Sequence, residues 1–141
     1  MPKKKKLQTL LKDLETLVNK YVRLRDRGKP CISCGEYREL QAGHFFAVQG
    51  YKALRFDEDN IHGECASCNC WNESHLIPYH DNLKEKIGET DLNDLKKRAE
   101  LYKGGELNNR YYFNGKWQRL EIESAIEEYK EKIRQIENDL L

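Results

Sequence analysis

From Leu7 onward, apolar residues recur at Leu7, Leu10, Leu14, Leu17, Tyr21 and Leu24, in steps of three and four. That spacing predicts an amphipathic helix with a heptad-like seam. Gly28 and Pro30 stop it. The same rhythm returns at the other end, at Ile122, Ile126, Tyr129, Ile133, Ile136 and Leu140. Between these two stripes the pattern is broken. Leu76-Ile77-Pro78 interrupts the chain, His80 to Ile87 forms a short helix ended by Gly88, and Thr90 or Asp91 caps a further helix running to Lys103. Gly104-Gly105 ends that helix, and Asn114-Gly115 marks a turn in a polar, aromatic stretch.

Charge sharpens this division. Of the 141 residues, 35% are charged and 38% hydrophobic, enough for one modest core with helical arms. The net charge of +1 splits unevenly: residues 1–30 carry +7, residues 31–88 carry −4 and residues 89–141 carry −2. The chain therefore divides into a basic N-terminal helix (1–30), a central region (31–90) and a helical C-terminal region (91–141). The first helix is basic and the last acidic, so the two are expected to pack together, within one chain or across a homodimer. The basic arm, with Lys20, Arg23, Arg25 and Arg27 on its last turns, is either a handle for a polyanion or a solvated face. No apolar run reaches the length of a membrane span. Lys3 to Lys6 are not followed by the apolar segment of a secretory signal, so a reducing cytoplasm is expected.

In that setting five cysteines read as metal ligands before disulfides. Cys31-Ile-Ser-Cys34-Gly and Cys65-Ala-Ser-Cys68 are two CxxC knuckles, and four thiolates at this spacing suit a tetrahedral structural Zn2+. Gly35 permits the sharp turn after the first knuckle. Cys70 is left as a spare thiol. A redox CxxC needs a neighbouring βαβ pattern, which is missing. Between and beside the knuckles stand His44, Asn60 and Asn69, and zinc on both sides would hold them rigidly.

The order His44, Asn60, Asn69 between zinc knuckles resembles the HNH (ββα-metal, His-Me finger) nucleases, in the variant where Asn follows the second CxxC. Further segments tighten the likeness: Tyr21-Val-Arg-Leu-Arg-Asp26, Ala42-Gly-His44-Phe, Ala53-Leu-Arg-Phe-Asp-Glu-Asp-Asn60-Ile-His62, Cys68-Asn69, Tyr79 and Lys86-Ile-Gly88. In order and spacing they resemble the NinG/Rap family of phage recombination endonucleases, most clearly over residues 15–90.

The resemblance implies an α+β fold, in which a small zinc-stabilised ββα-metal nuclease core is flanked by long N- and C-terminal α-helices. It implies a metal-dependent DNA endonuclease acting on branched recombination intermediates in the host cytoplasm. His44 would be the general base. Asn60 would orient the loop bearing His44, Asn69 would ligate a catalytic Mg2+ or Mn2+, and Arg55 would clamp a neighbouring phosphate. Many such nucleases place Asp before the catalytic His, where this chain has Gly43. The second metal ligand is then sought at His62, which shares a strand face with Asn60; Glu64 shares that face too, and Glu73 lies in the following turn. Trp71, Tyr111, Tyr112, Phe113 and Trp117 either stack on unpaired bases or pack the core. His75 and His80 are read as surface or supporting residues. Two rival readings are a non-catalytic zinc module that binds DNA and a zinc-stabilised protein-interaction adaptor.

Overall fold

The computed structural model describes residues 3–141. Helix α1 spans Leu7–Arg25 and the last helix, α4, spans Arg119–Asp139. They pack side by side in one chain around Leu10, Leu11, Leu14, Val18 and Val22 of α1 and Ile122, Ala125, Ile126 and Tyr129 of α4. The buried stripe of α1 therefore runs through Leu11, Val18 and Val22, while Leu24 is only half-buried. A straight helix repeats every 3.6 residues, so its apolar face drifts off a strict heptad seam. In addition, α1 serves two partners: Phe56 and Ile61 of the central region join the same cluster. Lys20 meets Glu137 at 3.4 Å across the pair.

Strands β1 (Leu40–His44) and β2 (Ile61–Cys65) pair antiparallel, with Leu40 opposite Cys65, Gln41 opposite Glu64, Gly43 opposite His62 and His44 opposite Ile61. Directly opposed residues share a face and neighbours along a strand alternate. Ala42, His44 and Ile61 thus turn toward α1, while Gly43, His62 and Glu64 lie on the other face. That second face is covered by Tyr79, whose hydroxyl donates to the Gly43 carbonyl at 2.7 Å. All five residues of β2 are buried as a result.

A π-helical turn over Ser67–Trp71 follows β2, then α2 (Leu76–Ile87) and α3 (Glu89–Lys103). The helix at α2 begins earlier than expected because Pro78 lies in its first turn, where a missing N–H costs nothing. Gly88, at φ 89°, joins the two helices directly, so Thr90 and Asp91 lie inside α3 and cap nothing. Leu83, Leu92, Leu95 and Ala99 build a second core with Leu54 and Tyr79. A two-residue hairpin, β3 (Tyr112–Phe113) and β4 (Lys116–Trp117), turns at Asn114 and Gly115, with φ 50° and 75°. Tyr111 and Trp117 pack edge-on and tilted against Phe56, at 5.5 and 5.8 Å between ring centroids. Trp71, by contrast, is 82% exposed. The architecture is α+β, and among the described residues no helix is long and apolar enough to cross a membrane.

Candidate functional site

The sulfurs of Cys31, Cys34, Cys65 and Cys68 all lie within 4.8 Å of one another, a set able to hold a metal ion such as zinc. Gly35 adopts φ 75° and its N–H returns to the Cys31 carbonyl at 2.9 Å, which closes the first knuckle. Burial raises the Cys31 thiol, but N–H groups of Cys65, Cys34 and Ser33 point at its sulfur and bring the net shift below the ordinary value. Burial and the neighbouring sulfurs push the Cys68 thiol up. Cys70 stands outside this set, exposed, and donates weakly to Gln41 at 3.5 Å.

His44 ends β1. Its Nε2 meets the Arg55 carbonyl at 2.9 Å, so Nε2 carries the proton and Nδ1 keeps its lone pair. Burial holds the imidazole below its usual pKa, against the opposing pull of that carbonyl and of Glu15. The imidazole is therefore neutral near pH 7. Asn60 is wholly buried and locks the loop after His44. Its Oδ1 accepts from Phe46 N at 2.8 Å, and its Nδ2 donates to the carbonyls of Phe46 at 3.0 Å and Leu54 at 3.3 Å.

On the opposite face, Gly43 sits beneath two oxygens. A Cβ at that position would lie 2.4 Å from Glu64 Oε1 and 3.3 Å from Asn69 Oδ1. The π-helical turn sets Cys68 and Asn69 about a quarter turn apart, so one faces the sulfur cluster and the other Gly43. Asn69 Nδ2 donates to Gln41 Oε1 at 2.9 Å, which fixes the amide with Oδ1 turned toward Gly43. Glu64 is fully buried. Its Oε2 accepts from the Ser33 hydroxyl and from His75 Nδ1, the latter at 2.6 Å, while Oε1 has no hydrogen-bond partner. Sequence spacing gave no sign of His75's contact. The signal for Glu64 was strand alternation together with the missing side chain at Gly43.

Three sequence expectations change here. His62 is not placed to ligate a metal: its Nε2 donates to the Asp59 carbonyl at 2.8 Å and its Nδ1 accepts from Arg25 at 3.3 Å. Burial, with Lys86 and Arg25 nearby, pushes its pKa down to about 3. Arg25 is not open to phosphate either, since it grips Asp26 through two 2.9 Å bonds and the Ile61 carbonyl at 2.7 Å. Arg55 turns to Glu15 at 3.0 Å and lies over Phe56. Its carbonyl serves His44, while its Nη2 is taken by Glu15. Of the remaining predicted contacts, Arg23 and Arg27 are exposed and line a hollow of about 490 Å³ with Lys29, Tyr37 and Arg38. Lys20 is half-exposed and bridged to Glu137.

Fold and site together define an α+β protein whose central hairpin is tied at its open end, where Leu40 pairs with Cys65, to a cluster of four cysteines able to hold a metal ion. The family model described as Bacteriophage Lambda NinG protein matches residues 2–139, and the chain belongs to that family. It is 32% identical over 130 residues to protein ninG of Escherichia phage lambda, covering 91% of this chain and 57% of that one. Protein ninG of Salmonella phage P22 is 31% identical over 128 residues, covering 89% and 57%, and that of Enterobacteria phage H19B is 38% identical over 87 residues, covering 60% and 43%. The chain thus spans a little over half the length of most of these relatives. No solved structure matches it.

Proposed function

We propose that the chain is a metal-dependent DNA endonuclease of the HNH kind that acts on branched recombination intermediates. The observation that carries this reading is a neutral His44, its Nδ1 lone pair free, at the end of β1, next in the chain to a glycine whose other face is lined by Glu64 Oε1 and Asn69 Oδ1. His44 Nδ1 accepts a proton from water, and the water oxygen attacks the scissile phosphorus. The bond to the 3′ oxygen breaks, leaving a 5′ phosphate and a 3′ hydroxyl that takes its proton from solvent. A hard Mg2+ or Mn2+ on Asn69 Oδ1, when bound, neutralises charge on the phosphate and on the leaving oxygen. Asn60 keeps the loop after His44 in place, and the zinc cluster holds both strands that carry the site. The branched substrate follows from the resemblance to phage recombination endonucleases.

A second reading, a zinc-stabilised DNA-binding module without catalysis, is favoured by the exposed Arg23, Arg27 and Arg38 beside the first knuckle, which need no His44 to contact phosphates. Zinc-replete protein and its His44→Ala variant separate the two on a four-way junction and a matched linear duplex, with Mg2+, Mn2+ or EDTA. The nuclease nicks only with metal, and His44→Ala lowers its rate by about 10²–10⁴-fold with unchanged binding. Binding that weakens steeply with salt, without cutting in any metal, leaves the module alone.

A further inference from the structure

The structure assigns Glu64, through Oε1, as a further ligand of the hard Mg2+ or Mn2+ that the proposed function places on Asn69 Oδ1 above Gly43. It deepens the nuclease reading and rests on it for its catalytic use, but binding alone reads it out.

Three observations carry the assignment. Glu64 is wholly buried, and its Oε1 lacks any partner. A buried carboxylate oxygen left bare forfeits the full cost of its desolvation, which a bound cation repays. Secondly, the other oxygen is saturated and oriented: Ser33 and His75 both donate to Oε2. Carboxylate ligands are commonly steered by such outer donors. Thirdly, the second oxygen is supplied by Asn69, whose amide is oriented by Gln41, the residue directly opposite Glu64 in the ladder. Two oxygens suit a hard cation that keeps several waters and takes phosphate oxygens as further ligands. The soft thiolate cluster selects a different metal.

Gly43 explains why the carboxylate comes from the neighbouring strand. Any side chain there would collide with Glu64, whose Oε1 and Cβ lie 2.4 and 2.9 Å from the position of an added Cβ. A carboxylate at position 43 and one at position 64 exclude each other, and this chain uses the latter. His62, with both ring nitrogens engaged, contributes nothing to this site.

The test uses the zinc-loaded full chain, with Mn2+ as probe, read by electron paramagnetic resonance and calorimetry without DNA. Zinc content and circular dichroism report folding. Wild type binds one Mn2+, Glu64→Gln weakens it about 100-fold or abolishes it, and Glu73→Gln leaves it unchanged. Ser33→Ala weakens it about tenfold by freeing the carboxylate. If Glu64→Gln loses zinc, the double variant Gly43→Asp with Glu64→Gly moves the carboxylate across the ladder, removes the clash, and restores Mn2+ binding. Unchanged Mn2+ affinity in folded Glu64→Gln, or no Mn2+ binding by wild type, overturns the site. Mn2+ binding that depends on Glu64, without DNA cleavage, upholds the site and ends the nuclease reading. Cleavage that depends on His44 but not on Glu64 does the reverse.

Discussion

Leu14 and Glu64 are both fully buried, for opposite reasons. Leu14 sits among aliphatic side chains of α1 and α4, where burial itself stabilises and each contact is worth little alone. Glu64 sits in a hairpin held by named polar partners and by four sulfurs able to hold a cation. The helix pair is built from redundant, non-directional contacts. The hairpin is built from few, directional ones, each costly to lose. The rigid placement of polar side chains is found in the second region, supported by the first.

Four perturbations sharpen or break this contrast. Stripping zinc with a chelator should act most strongly. Structural zinc supplies apparent energies of about 10–16 kcal/mol in small metal-bound folds, so the β1–β2 ladder should lose its amide protection in hydrogen exchange. The helical signal of α1 and α4 should largely survive. Equal loss in both regions would show one cooperative unit instead.

Asp26→Asn should come next. Asp26 binds Arg25, Lys86 at 2.8 Å and the Gly63 N–H at 2.8 Å from an almost fully buried position. Leaving those cations unpaired should cost about 3–5 kcal/mol in urea unfolding. The same residue sets a pH response. Burial raises its carboxyl, but bonds from Arg25, Lys86 and Gly63 outweigh this and hold it well below the usual range. Its stabilisation is complete above the unfolded value of about 4 and fades as pH falls toward the folded one. Wild type should therefore lose stability below about pH 4, and Asp26→Asn should show a flatter profile there.

Leu14→Ala should cost about 2–5 kcal/mol through the cavity it leaves, with zinc stoichiometry and Mn2+ binding unchanged. Lys20→Ala removes an exposed bridge and should move stability by less than about 1 kcal/mol. An effect as large as that of Leu14→Ala would mean that charge, rather than apolar packing, holds the helices together.

The legible parts of the sequence follow the same contrast. Periodicity located α1 and α4, and Asn114-Gly115 located the β3–β4 turn, because these elements depend on local pattern. Cysteine spacing located the cluster of four sulfurs, because a CxxC turn is itself local. The partners of Arg25 and His62 were not legible. Arg25 reaches the Ile61 carbonyl from 36 residues away, and no composition or spacing encodes that meeting. A run of arginines on an amphipathic helix looks the same whether it faces phosphate or a buried aspartate. Val18 and Val22 replaced Leu24 in the core for a related reason, since α1 had to satisfy a second partner across its face.

The pairing of Leu40 with Cys65 links two events that look separate. Side chains alternate along a strand, so a slip of one residue would send Glu64 into the apolar face beside α1. The same slip would draw the Cys65 sulfur away from the other three. The four sulfurs come within reach of one another only in the aligned ladder, so a metal ion that needs all four would seal that register and no other.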